Sequence, residues 1–229
     1  MSSYADLKGK KILVTGANRG VGFALTQALL ADGAIVYALV RHPFALNESR
    51  TGQLHVLRCD LENLGEIYNA CSAINDLDGI VCNAGYFKGD LIENLELAEF
   101  QKTIHINLES NFILIKQLWP KLKASKSASV VLVSSLAGVG GIEKFPTAIA
   151  YTASKMALTG LMEVLAAEGK PFRIRVNAVS PGAIDTEMLR TAHPDMKPDF
   201  TADDVARAIR FFLSEDSAPV SGSNYVMST

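Results

Sequence analysis

The chain has 229 residues, with 22 lysines and arginines against 24 acidic residues and a formal charge of −2 at pH 7. This balance supplies no basic field for nucleic acid or an anionic membrane surface, and no apolar run approaches the roughly 20 residues that span a bilayer. Hydrophobic residues, at 48%, suffice for a substantial core, while Cys59, Cys71 and Cys82, without CxxC spacing, point to reduced buried thiols in a cytoplasmic protein, not to a disulfide framework or a zinc site.

The opening residues, MSSYADLKGKK, lack the apolar segment of a signal peptide. KKILVTG (10–16) then reads as a buried strand, 20–32 as a helix stopped by Gly33, and AIVYALV (34–40) as a second strand. HVLRCD (55–60) is a third strand, 62–73 a helix, and GIVCNAG (79–85) a fourth strand running into a loop. A long helical stretch covers 95–123, with Pro120 near its end, and SVVLVSS (129–135) is the fifth strand. A helix over 151–169 stops at Gly169, and FRIRVNAVSPG (172–182) is the sixth strand. The irregular segment 185–200 carries two prolines. A helix over 201–214 opens on a threonine cap with an acidic residue three positions later, and SNYVM (223–227) is a possible last strand.

Short apolar strands alternating with helices predict an α/β fold: a parallel sheet of about seven strands, covered by helices on both faces in three layers. The absence of a linker-like stretch predicts a single domain over 1–229. The segment 185–200 follows the sixth strand, so it is expected over the carboxyl edge of the sheet, where ligands bind in such folds.

The first strand ends in Thr15-Gly16-Ala17-Asn18-Arg19-Gly20-Val21-Gly22, a TGxxxGxG pattern running directly into a helix. Glycines let the turn tighten and let the backbone approach a pyrophosphate. The helix N-terminus offers free N–H groups to the phosphates. A glycine triple alone is a weak signal, but a strand before it and a helix after it form the context of a dinucleotide fingerprint. NAD sites place an acid at the end of the second strand. Here that strand ends Val40-Arg41-His42, and Arg19 adds a second positive charge. A guanidinium pairs well with a 2′-phosphate, so NADP(H) is favoured over NAD(H). Asp60, at the end of the third strand, is either an adenine contact or a turn aspartate.

Tyr151 and Lys155 stand four residues apart at a helix start and share one face. An ammonium close to a phenol is expected to lower the phenol pKa, so that Tyr151 can exchange a proton with a substrate oxygen. Ser135 ends the fifth strand within reach of the same oxygen, with Ser134 as its rival. Asn107 lies where it could hold a water linking Lys155 to solvent. Taken alone, a tyrosine at a helix start is usually a packing residue. The four histidines, 42, 55, 105 and 193, show no ligand spacing and read as structural or exposed.

TGANRGVG (15–22), NAG (83–85), Asn107 in HINLES, Ser135 in VVLVSS, YTASK (151–155) and NAVSPGAIDT (177–186) occur in this order. With these motifs the chain resembles the short-chain dehydrogenase/reductase family, in its TGxxxGxG and YxxxK subgroup, over nearly its whole length. The resemblance implies a Rossmann-type doubly wound sheet and an oxidoreductase that interconverts a carbonyl and an alcohol. Tyr151 would be the general acid/base, Lys155 would also bind the nicotinamide ribose, Ser135 would position the substrate, and Asn107 would hold the relay water. Asn83, Ala84 and Gly85 would line the adenine ribose side. Pro181, Gly182 and Thr186 would flank the nicotinamide, with Ile184 reaching its carboxamide through the backbone. Gly16, Asn18, Arg19, Gly20, Val21 and Gly22 would form the phosphate turn. In the family the long helix often joins a dimer interface, which implies a homodimer or homotetramer; Trp119, Phe112 and Leu114 are expected to share one of its faces.

Three departures bear on these expectations. The stretch between Ser135 and Tyr151 is longer than usual, shortening falls around 41–55, 72–78 and 185–200, and the ending SNYVMST lacks the family's glycine-rich finish. The substrate stays open, to be decided by the loops at 86–94 and 185–200. The alternative function is a non-catalytic dinucleotide sensor on the same fold, although such proteins usually lose the tyrosine or the lysine.

Overall fold

A computed structural model of the protein describes residues 4–42 and 53–228. Part of the 41–55 stretch noted above lies outside the described residues. The strands are β1 (Lys11–Thr15), β2 (Ile35–Val40), β3 (Leu54–Arg58), β4 (Gly79–Cys82), β5 (Ala128–Val133), β6 (Ile174–Pro181) and β7 (Asn224–Met227). They form one sheet in the order β3-β2-β1-β4-β5-β6-β7, and every pairing is parallel. The helices are α1 (Gly20–Ala31), α2 (Leu64–Ser72), α3 (Leu97–Ile104), α4 (Ser110–Ala124), α5 (Ile149–Gly169), α6 (Glu187–Ala192) and α7 (Ala202–Leu213).

Successive strand side chains point to opposite faces, and β1 divides accordingly. Leu13 joins an apolar cluster with Leu114 and Leu118 of α4 and Met162 of α5. Val14 joins the other, with Leu25 and Leu29 of α1 and Ile209 and Phe212 of α7. Burial on both faces explains why the strands read as continuous apolar runs. The predicted Rossmann-type, three-layered, doubly wound sheet is therefore the fold observed. Chain order reverses at β1, which has β2 on one side and β4 on the other. The crevice at their carboxyl ends is where such sheets bind ligands.

Helix ends follow their side chains. Thr201 caps α7 in a reciprocal box with Asp204, and Asn63 caps α2 by accepting from the backbone N–H groups of Gly65 and Glu66. α1 is locked to α7 by a buried bidentate pair: Arg210 Nε donates to Asp32 Oδ2 and Arg210 Nη2 to Asp32 Oδ1, both at 2.8 Å.

Two segments differ from the sequence reading. The stretch 95–123 is not one regular helix, because a π-helical turn, His105–Glu109, separates α3 from α4. Here side chains take backbone carbonyls for themselves: Ser110 Oγ donates to Ile106 O and Asn111 Nδ2 to Asn107 O, both at 2.7 Å. The segment 185–200 is less irregular than expected, since Thr186 accepts from Leu189 N and starts the short α6. The expected face of Phe112, Leu114 and Trp119 is also corrected. Leu114 is fully buried while Phe112 is exposed, because residues two apart project to different sides of a helix.

Candidate active site

Thr15 ends β1 and stitches it to β4. Its hydroxyl oxygen accepts from the backbone N–H groups of Asn83 and Ala84, both at 2.9 Å. Asn83 Nδ2 donates back to Thr15 O at 2.9 Å. Over this seam lies the glycine turn, with Gly16 at φ +64° and Gly20 at φ +51°, a region that L side chains avoid. A Cβ on Gly16 would meet Ala84 Cα at 3.1 Å, and one on Gly20 would meet Thr186 Cγ2 at 3.3 Å. Gly22 serves packing: a Cβ there would lie 2.2 Å from Gly16 O.

The turn opens onto a cleft of about 520 Å³ at the carboxyl ends of the strands, a size typical of small-molecule and cofactor sites. Arg41, His42 and Asp60 border it on the β2–β3 side, and Ser135, Tyr151, Lys155, Pro181, Gly182, Ile184 and Thr186 on the β5–β6 side. Gly16, Asn18, Arg19, Gly20, Val21, Asn83, Ala84 and Gly85 form the floor between. Of the predicted cofactor residues only Gly22 is not on the wall. The bare backbone, the free start of α1 and the two guanidiniums fit the phosphates of a dinucleotide. Arg19 Nη1 pairs with Glu187 Oε2 at 2.8 Å, so the glycine turn and the start of α6 meet across the cleft. Asp60 borders the cleft and is also a turn residue, its Oδ1 accepting from Glu62 N at 3.0 Å.

At the other end, Tyr151 is half-buried in the first turn of α5, and Lys155, one turn on, is 3% exposed. Lys155 Nζ donates to Val133 O at 2.7 Å and lies 5.5 Å from the Tyr151 ring centre. Burial pulls its pKa down to about 8. Burial also pushes the Tyr151 phenol up, and a hydrogen bond with Ser135 pulls it the other way. Burial outweighs the Ser135 bond, and Lys155 is not among the causes of the shift.

Ser134 and Ser135 have separate tasks. Ser134 is buried and donates to Lys155 O at 3.1 Å. Ser135 caps the short turn Leu136–Gly138 by accepting from Ala137 N and borders the cleft beside Tyr151. Asn107 is fully buried behind the cleft wall. Its Oδ1 accepts from Tyr86 N at 2.7 Å, and its Nδ2 donates to Tyr86 O at 2.9 Å and Ser154 Oγ at 3.0 Å. Both its oxygen and its nitrogen are thus held by protein partners.

Beyond Tyr151 lie Phe87 and His193, within the segments 86–94 and 185–200 expected to shape the substrate site, and Phe145, which no motif marked. The Phe87 and Tyr151 rings meet edge to face at 5.3 Å. His193 lies 5.7 Å from Phe87 and 4.9 Å from Phe145. Thr15, Tyr86 and Glu187 were not singled out individually, although Thr15 opens the glycine motif and the other two lie in the segments 86–94 and 185–200.

The family model for short chain dehydrogenase matches residues 10–197. The 3-oxoacyl-[acyl-carrier-protein] reductase FabG of Rickettsia bellii is 31% identical over 230 residues, covering 95% of this chain and 94% of that protein. The acetoacetyl-CoA reductase of Synechocystis sp. is 31% identical over 222 residues, covering 91% of this chain and 90% of the relative. The ligand-free aldohexose dehydrogenase of Thermoplasma acidophilum superimposes with a TM-score of 0.87 at 26% identity, covering 98% of this chain and 94% of that one.

Proposed function

The chain belongs to the short chain dehydrogenase family, an NAD(P)-dependent oxidoreductase acting on CH–OH and C=O groups, and from that premise we propose that it interconverts a carbonyl and an alcohol with NADP(H), using Tyr151 as general acid/base. The observation that carries this reading is that the hydroxyls of Tyr151 and Ser135 stand together on the wall of the glycine-turn cleft, with Lys155 behind them. The bound dinucleotide would supply or accept the hydride. Gly16, Asn18, Gly20 and Val21 would hold its phosphates, and Asn83, Ala84 and Gly85 its adenine ribose side. Pro181, Gly182, Ile184 and Thr186 would flank the nicotinamide.

Tyr151 donates its proton to the carbonyl oxygen in reduction and takes it back in oxidation. Ser135 orients that oxygen from the strand end. Lys155, whose Nζ donates to Val133 O at the cleft wall, would bind the ribose hydroxyls and return the proton to Tyr151. Asn107 acts as a positioning residue, because its side chain fixes the backbone of Tyr86 after the Asn83–Gly85 turn. The preference for NADP(H) is supported by Arg41 and Arg19 on the cleft wall.

The same reading takes residues 1–229 as one domain, acting in the cytoplasm as a homodimer or homotetramer. Three free, buried thiols support the compartment. Exposed Phe112 on α4 and Val164 on α5 support self-association. No helix among the described residues is long and apolar enough to cross a membrane.

The test is oxidation of NADPH over a panel of ketones, aldehydes and 3-oxoacyl thioesters. Turnover that Tyr151→Phe abolishes, with NADPH binding retained, is the expected result. No turnover on any of them, or full activity of Tyr151→Phe, overturns the assignment.

A further inference from the structure

We propose that the site takes a carbonyl compound with an uncharged, flat aromatic or alicyclic body, which stacks in the ring cluster beside Tyr151. This inference rests on the function proposed above.

Phe87, Phe145 and His193 come from three different loops, after β4, before α5 and after α6. They meet in one chain of ring contacts that ends on Tyr151. The near side of the cluster is held in place. Asp90 N donates to Thr147 O at 3.0 Å, which joins the Phe87 loop to the entrance of α5. The tip of the Phe87 ring lies 3.1 Å from where a Cβ on Gly89 would stand, so the loop folds directly over it. The far side is open: Phe145 is 54% exposed, and Ile142, three residues before it in the same loop, is 41% exposed. Large apolar side chains left exposed together are a recognition feature, and this cluster adjoins Tyr151, which borders the cleft. Ring faces gain most from another π-surface at about 4.5–7 Å. His193 holds that position over Phe145 at 4.9 Å, and a flat ligand would replace it or extend the stack.

The charges on these loops favour the same ligand class. Lys144 Nζ donates to Leu136 O and Val139 O at 2.9 and 2.5 Å. Lys88 pairs with Glu99 at 3.3 Å and Arg190 with Asp185 at 2.8 Å. A neutral ring system leaves these contacts intact, and the Lys88 and Arg190 charges are already balanced by their carboxylate partners.

Binding is measured by calorimetry with the full chain carrying Tyr151→Phe and loaded with NADPH, which keeps the ring at 151 and blocks the proposed turnover. The probes are 2-acetylnaphthalene and acetoacetyl-coenzyme A. The naphthyl ketone is expected to bind at least about tenfold tighter, and adding Phe145→Ala or His193→Ala is expected to weaken it about tenfold. Equal or tighter binding of acetoacetyl-coenzyme A overturns the proposal, as does unchanged ketone affinity in both double variants. If either alanine variant fails to fold, Phe145→Leu, at an exposed position, replaces it with the same criterion. Tight, ring-dependent ketone binding with no turnover by the wild-type enzyme of this ketone or of the whole carbonyl panel supports the ring site and overturns the hydride-transfer reading. Turnover without ring-dependent binding does the reverse.

Discussion

The Lys155 ammonium donates a 2.7 Å hydrogen bond to the carbonyl oxygen of Val133 at the end of β5. A cation is thereby held in a nearly water-free position at a cost to the fold. Its pKa falls from 10.5 in the open chain to about 8 in the folded one, so the unfolded chain binds more protons between those two values. Stability from this group therefore rises as pH increases through that window and is lowest below pH 8.

Replacing the lysine with methionine removes this penalty. The shift corresponds to about 3 kcal/mol, against which the unpartnered Val133 carbonyl costs about 1–3 kcal/mol. Urea denaturation at pH 7 should find Lys155→Met as stable as wild type or up to about 2 kcal/mol more stable, although inactive. That advantage should fade as the pH approaches 10. A clearly destabilised variant at pH 7, or an advantage independent of pH, would refute the account.

Arg41 borders the cleft where β2 ends without a carboxylate. Arg41→Ala should cut the ratio of kcat/KM for NADPH over NADH by about tenfold, since one solvent-accessible charge-assisted contact to a phosphate is lost. Steady-state kinetics with both cofactors measure this, and an unchanged ratio removes the phosphate role from this residue.

Gly22→Ala places a methyl group 2.2 Å from Gly16 O and 2.6 Å from Asn83 Nδ2. Neither neighbour can yield without moving the turn or the β1–β4 seam. Overpacking of this kind costs about 1–3 kcal/mol, and the denaturation midpoint should fall together with NADPH affinity. Wild-type values for both would show that α1 can slide away from the turn.

Asn107→Ala leaves the Tyr86 backbone N–H and C=O without their partner. About 1–3 kcal/mol of stability should be lost for the buried groups. Because the Asn83–Gly85 turn lies just before Tyr86, the KM for cofactor should rise as well. Asn107→Asp sets a buried carboxylate oxygen against the Tyr86 carbonyl, so it should melt at or below the alanine variant. Equal stability of all three proteins would count against the positioning role.

Much of this protein was legible along the chain because the relevant physics is local. Alternation of apolar runs with helical periodicity gave the parallel sheet, the glycine turn between β1 and α1 marked the cleft, and the four-residue spacing of Tyr151 and Lys155 placed both on one face. Each of these is a relation between neighbours in sequence. Partnerships between distant residues were decided only by the sheet order. That order takes Ser134 to the Lys155 carbonyl, leaves Ser135 on the cleft wall and bonds Lys155 to Val133. It also joins Arg19 to Glu187 across 168 positions and gathers Phe87, Phe145 and His193 beside one tyrosine. Hydrogen bonds and ring contacts act over a few ångströms of space, and only the packed sheet sets which side chains come that close.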